Sequence, residues 1–266
     1  MRILHVWDQA GVACILAKHH RRQGHDVRIA KRAGYDPFGI LQFYGEPLLD
    51  MDGKAFLKLV TKEAGNYDLV HVHSLYKVVP DLRKKYRDLR IVLHYHGSEV
   101  RGKQGDPLRA EAENKADAIF GSTEDLKGYV NNMIYVPNPV DTEHFTPCPD
   151  PDGRAFTIRT TRGDSQWVLD YLKKNSIDIP VDVIDRETNP IQYSEVPAFL
   201  KQYGTYVDIK YIDGTLLEAM SKTGLESLAC GLQVLDYQLK YVKGLPKENS
   251  PEVAACRVMD VYNSIA

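Results

Sequence analysis

At 266 residues the chain exceeds the usual single domain, so two domains of roughly 100–150 residues each are expected, and a net charge of −2 offers no general attraction to nucleic acid. Its 43% hydrophobic and 26% charged residues are the proportions of an ordinary globular protein, and no run approaches the ~18 apolar residues that a membrane span requires. Cys14, Cys148, Cys230 and Cys256 lie far apart without Cys-x-x-Cys or zinc-ligand spacing, which argues against a disulfide framework and suits a reducing, cytoplasmic setting.

The first predicted element is a buried strand over residues 2–7. Its apolar run is broken by His5 and Asp8 too early for a signal peptide. A loop through Asp8 and Gly11, an amphipathic helix ending at Gly24 and a strand over 26–30 complete a βαβ unit. Helices at 53–64, 78–86, 108–115 and from 122 then alternate with strands at 69–73, 90–94 and 118–120. That alternation predicts a parallel sheet covered on both faces, with ligands at the carboxyl ends of its strands.

The carboxyl-end rule selects Asp8 to Gly11, His71 to Ser74, His94 to Glu99 and Ser122 to Glu124. Gly11 reads either as a turn glycine or as a loop glycine on this rim; the dinucleotide fingerprint G-x-G-x-x-G is absent, which disfavours an oxidoreductase. His71 and His73 alternate along a strand and so share a face. They are compatible with a metal pair, but with no third ligand spaced nearby a buried, hydrogen-bonded role is favoured and no metal is expected. In His96-Gly97-Ser98-Glu99 the glycine permits a tight turn that leaves an imidazole and a carboxylate beside exposed amides.

The turn-rich segment 135–147 closes the first half, and 148–153, with three prolines or glycines, is the expected linker. The expected domains are therefore 1–147 and 154–266. The second half alternates again: strands near 154–158, 181–184, 206–211 and 233–237, helices near 166–175, 194–203 and 250–264. Within it, Glu218 and Glu226 stand eight positions apart before the helix-stop Gly231. Two acceptor-only groups beside a helix start suit sugar hydroxyls and a phosphate, whereas the alternative is a capping box between Thr223 and Glu226.

Taken in order, the strand over residues 2–6 with its glycine loop, Asp68-Leu-Val-His-Val-His73, His96-Gly-Ser-Glu99, Ser122, Val136-Pro-Asn-Pro-Val-Asp-Thr-Glu-His-Phe-Thr-Pro147 and the Glu-x7-Glu pair ending in Leu225-Glu-Ser-Leu-Ala-Cys-Gly231 resemble the retaining nucleotide-sugar glycosyltransferases of family 4. The resemblance covers most of 1–147 and, more loosely, 193–237. It implies the glycosyltransferase B fold, two Rossmann-like α/β domains facing across a cleft. It further implies a metal-independent hexosyl transfer with retention, of the kind used in polysaccharide biosynthesis, with no cofactor beyond the donor.

By position, the resemblance puts Glu226 on the donor's ribose, Glu218 and His96 at the transferred sugar, and Arg159, Arg162, Lys222 and Gly224 at the diphosphate. Gly11, His73 and Ser122 fall on the acceptor side, toward a glycan or lipid-linked acceptor, with no role for nucleic acid. A basic segment including Arg83, Lys84 and Lys85 reads as a solvated helix face or as a weak peripheral membrane contact. The chain also departs from the pattern. No Lys follows Arg159 or Arg162 before Lys173, Ala219-Met-Ser-Lys222 stands where glycines are usual, and the C-terminal domain reads as shortened. A catalytically degenerate member that binds a sugar nucleotide or a partner protein is the alternative, and a nucleotide-sugar epimerase a third.

Overall fold

The computed structural model describes residues 1–101, 103, 105–148, 153–160 and 162–265; the central part of the expected linker, 149–152, lies outside them. The chain forms two compact units, Met1–Pro139 with Glu248–Ala266, and Val140–Lys247. This corrects the expected division at 148–153, because the closing helix Pro251–Ser264 packs into the first unit and not into the second.

In the first unit β1 (Arg2–Val6), α1 (Val12–Arg22), β2 (Asp26–Ala30), α2 (Ile40–Phe43), α3 (Gly53–Glu63), β3 (Leu69–His73), α4 (Val79–Lys85), β4 (Arg90–Tyr95), α5 (Pro107–Lys115), β5 (Ala118–Gly121) and β6 (Ile134–Tyr135) follow in order. The strands form one parallel sheet in the order β2-β1-β3-β4-β5-β6. The order reverses between β1 and β3, and in doubly wound sheets ligands gather at the carboxyl ends beside such a switch.

Strand parity divides the core into two layers. Leu4, Val6, Val70, Val72, Ile91, Leu93 and Tyr95 face one way, into a cluster that includes Phe56 and Val60 of α3 and Leu82 of α4. Ile3, Leu69, Val92 and Phe120 face the other way, onto α1 and the closing helix through Leu16, Val258 and Tyr262. His5, His71, His73 and His94 share that second face, toward the carboxyl end of the sheet, because His5 is in register with His71 and His73 with His94.

The Asp8 carboxylate accepts from the amides of Gly11 (2.9 Å), Ala13 (2.8 Å) and Cys14 (3.3 Å), so the start of α1 is capped from within. Gly11, at φ 81°, is the turn glycine that makes this geometry possible, and the amides that would otherwise face a phosphate are already satisfied. The helix expected from Ser122 is only a 3-10 turn, Glu124–Gly128. The Ser122 hydroxyl is engaged by two histidines.

The second unit comprises β7 (Ala155–Arg159), α6 (Ser165–Lys174), β8 (Val181–Asp185), α7 (Val196–Leu200), β9 (Thr205–Val207), β10 (Tyr211–Ile212), β11 (Thr215–Leu216), α8 (Lys222–Ala229), β12 (Gln233–Leu235) and β13 (Tyr241–Lys243). Its main sheet runs β13-β12-β9-β7-β8, parallel except for the edge strand β13. The sequence reading ran a single strand through 206–211, but the chain ends β9 at Val207 and then forms a β10-β11 hairpin. Asp213 (φ 50°) and Gly214 (φ 80°) make the tight turn, a pairing that the Asp-Gly signal encodes. All four cysteines are free thiols, and among the described residues no helix is long and apolar enough to cross a membrane.

Candidate functional site

The carboxyl rim of the first sheet carries a continuous hydrogen-bonded chain of imidazoles. His5 Nδ1 lies 2.9 Å from His73 Nε2, His73 Nδ1 3.1 Å from His96 Nε2, and His96 Nδ1 2.8 Å from Ser122 Oγ. Ser122 Oγ is 3.0 Å from His94 Nε2, His94 Nδ1 3.2 Å from His71 Nε2, and His71 Nδ1 2.6 Å from the Tyr262 hydroxyl. Burial holds His5, His71, His73 and His94 well below the ordinary imidazole range, so each is neutral and carries one N–H and one lone pair.

That constraint fixes the polarity of the chain. If Tyr262 donates to His71, every link is satisfied and only Nε2 of His5 lacks a partner. The reverse polarity leaves Nε2 of His5 bare and the Tyr262 hydrogen without an acceptor, one more buried unsatisfied group, which costs about 1–3 kcal/mol. The expected pair His71 and His73 is thus buried and hydrogen-bonded, as the strand pattern suggested. The further imidazoles, from β1 and β4, are not spaced near them in sequence; strand pairing brings them together.

His96, His73, Ser122 and Gly11, all predicted site residues, fall on this rim. Gly97 has φ 127°, and a side chain there would meet the Arg101 guanidinium, itself held by Asp125 and Thr123. Glu99 accepts from the His96 amide and from Ser74 Oγ at 2.9 Å, so its carboxylate shapes the loop.

In the second unit the predicted donor residues separate into two groups. Glu226 and Lys222 lie one turn apart on α8, 3.8 Å between charges, both largely buried. The helix is capped by Ser221, which accepts from Gly224, so of the two readings the capping box between Thr223 and Glu226 does not form. Burial raises the Glu226 carboxyl to about 7 against the opposing pull of Lys222 and Arg186. Glu218, in contrast, is exposed in the loop before α8 and shares no helix with Glu226.

Arg159 pairs with half-buried Asp185 and Arg162 with Asp213, and both arginines are exposed. The cations that the sequence reading passed over lie at strand ends. Arg186 directly follows β8 and interacts with Glu226, and Lys210 follows β9 with its Nζ 3.2 Å from Asp208. Buried Asp208 also accepts from the Ser221 amide at 2.6 Å and so ties the β9 end to the start of α8. All three stand at the carboxyl ends of β8 and β9, the positions where ligands of such sheets gather.

Gly224 makes this close approach possible, since an added Cβ would stand 2.4 Å from Asp208 Oδ2 and 2.9 Å from Met220 Cγ. Gly224→Ala is therefore expected to lower stability by about 1–3 kcal/mol, read from a denaturant or thermal transition. An unchanged midpoint would show that Asp208 moves aside freely.

The profile of Glycosyltransferase Family 4 matches residues 10–144. Among solved structures, an alpha-glucosyltransferase in complex with UDP and a mismatched 13-mer DNA is 14% identical, with a TM-score of 0.54, covering 100% of this chain and 89% of its own. A UDP-GlcNAc 2-epimerase from Methanocaldococcus jannaschii is 10% identical at a TM-score of 0.54, covering 99% of this chain and all of its own. No curated protein sequence matches. At such identities the structures speak for the fold alone, the glycosyltransferase B fold with its two Rossmann-like units. The profile spans more than half of the 266 residues, and the chain belongs to Glycosyltransferase Family 4.

Proposed function

We propose that the protein transfers a hexosyl group from a nucleotide-sugar donor to a glycan or lipid-linked acceptor, with retention. The observation that carries this reading is the cluster in the second unit: two buried carboxylates, Glu226 and Asp208, set among Lys222, Lys210 and Arg186 at two strand ends and one helix start. Carboxylates accept from ribose hydroxyls, and cations beside helix amides stabilise the charge that develops on a departing diphosphate. This division of labour needs no metal in the transfer step. Lys210 and Arg186 take the diphosphate role that the resemblance gave to Arg159 and Arg162, which their surface partners occupy.

The acceptor side falls to the first unit, at the rim of His96, Ser122 and Gly11. A groove on α3 and α4 lined by Lys54, Lys58, Lys62, Lys84 and Lys85 supports a peripheral contact with anionic lipid on the cytoplasmic side. Arg83, expected to join it, instead bonds to Asp117 and to the carbonyls of Lys115, Arg87 and Leu89.

The occupied surface arginines also favour a second reading, a member that binds a sugar nucleotide without turning it over. Incubation with UDP-, GDP-, ADP- and dTDP-sugars in the presence of glycan and lipid-linked acceptors separates the two. Nucleotide release with at least one donor is expected. Saturable binding without release would establish the second reading, and neither binding nor release would sink both.

A further inference from the structure

His73 and His94 are register partners on adjacent parallel strands, and His96 follows two residues later on the same face, so three imidazoles converge where β3 and β4 end. One nitrogen of each lies within 4.8 Å of the others. We propose that His73, His94 and His96 form a binding site for a divalent transition-metal ion, held through Nδ1 of His73, Nε2 of His94 and Nε2 of His96.

Four observations support the assignment. First, zinc–nitrogen bonds of 2.0–2.1 Å place tetrahedral ligand atoms about 3.3 Å apart, so the 3.1 Å between His73 Nδ1 and His96 Nε2 needs to open by only ~0.2 Å. Second, the outer nitrogen of each ligand already has a hydrogen-bond partner: His5 Nδ1 for His73, His71 Nε2 for His94 and Ser122 Oγ for His96. Such outer partners fix the tautomer and orientation of metal-bound imidazoles. Seating the ion replaces two hydrogen bonds, His96 Nε2–H to His73 Nδ1 and His94 Nε2–H to Ser122 Oγ, by metal bonds. It shifts the protons of His94 and His96 to Nδ1, where they donate to His71 Nε2 and Ser122 Oγ, the His71 proton moving to Nδ1 to donate to Tyr262.

Third, His73 and His94 stand at 0% and 1% exposure on paired strands, so the backbone fixes their separation and water does not compete for their nitrogens. Fourth, His96 is only partly buried, so this triad reaches the surface, whereas the neighbouring triad His5, His71 and His73 is sealed at 0% exposure. Neither triad includes a carboxylate. Imidazole-only ligation suits zinc, cobalt, nickel or copper(II) and not magnesium or calcium, which take oxygen ligands. The site lies wholly in the first unit, on the rim assigned to the acceptor, and its test reads metal binding without the transfer reaction.

The test is titration of cobalt(II) into chelator-treated, tag-free full-length protein. The expected result is a visible d–d absorption of a four-coordinate site that saturates at one ion per chain and is displaced by zinc. His96→Gln, at the partly exposed position, is expected to abolish it with the far-ultraviolet circular dichroism unchanged. Ser122→Ala, which keeps all three ligands and removes one outer partner, is expected to retain the spectrum with affinity weakened about 10–100-fold. In the unsubstituted protein, hyperfine-shifted imidazole N–H resonances count the ligands directly, and three are expected. No absorption, a spectrum unaltered by His96→Gln, or fewer than three shifted imidazoles would overturn the assignment.

Discussion

Glu226→Gln is expected to abolish nucleotide release from the donor sugar and, at pH 8, to make the protein more stable than the unsubstituted chain. The two outcomes have one cause. Glu226 is 6% exposed, and burial raises its carboxyl from about 4.5 to about 7 although Lys222 and Arg186 oppose the shift. A carboxyl whose folded pKa exceeds its unfolded value binds more protons when folded, so stability falls as pH rises between the two values. The advantage is complete below about pH 4.5, is lost progressively up to pH 7, and is absent above it, a difference on the order of 3 kcal/mol.

Glutamine at this position carries no such penalty. Denaturant midpoints measured at pH 5 and pH 8 should therefore converge in the variant more than in the parent. A buried carboxylate that destabilises its own fold near neutral pH is the kind of group that functional sites retain. Turnover at the parental rate in Glu226→Gln would remove this residue from the donor site. An unchanged pH dependence of stability would show that Lys222 and Arg186 keep it ionised throughout.

Tyr262→Ala is expected to have the largest effect on stability. Tyr262 is fully buried in the layer formed with α1 and the sheet, and its hydroxyl lies 2.6 Å from His71 at the head of the histidine chain. Loss of the ring leaves a cavity worth about 3–5 kcal/mol, or on the order of 10 °C in the midpoint of the first unit. Tyr262→Phe keeps the ring and isolates the polar contribution. It leaves the His71 Nδ1 acceptor unpaired, and a loss of about 1–3 kcal/mol is expected from thermal unfolding. If Phe were as stable as Tyr, the polarity deduced for the chain of imidazoles would be wrong.

The strand and helix alternation, the parallel sheets and the carboxyl-end placement of His96, Ser122 and Gly11 were all legible in the sequence, because each rests on periodicities of two or 3.6 residues and on glycine or proline punctuation. The short helix that carries Glu226 was legible for the same reason, between its cap and the stop at Gly231. What failed involved choices between nearby partners. Ser221 and Thr223 are both good caps, and the closing helix could have covered either unit. It went to the first, where Tyr262 meets His71 across 191 residues of sequence. No local pattern encodes that meeting.

The sequence by itself determined the family, the two α/β units and the residue types at the strand ends, since these follow from local pattern and from the order of motifs along the chain. Only the tertiary structure decided which cations serve which carboxylates. Arg159 and Arg162 were drawn to Asp185 and Asp213 at the surface, while Arg186, Lys210 and Lys222 were left with Glu226 and Asp208. It alone also gathered His5, His71, His73, His94 and His96 into one chain, because parallel pairing sets side by side residues that lie up to 68 positions apart in adjacent links. Charge pairing and ligand convergence depend on distances of a few ångströms between elements, and spacing along a chain carries no record of those distances.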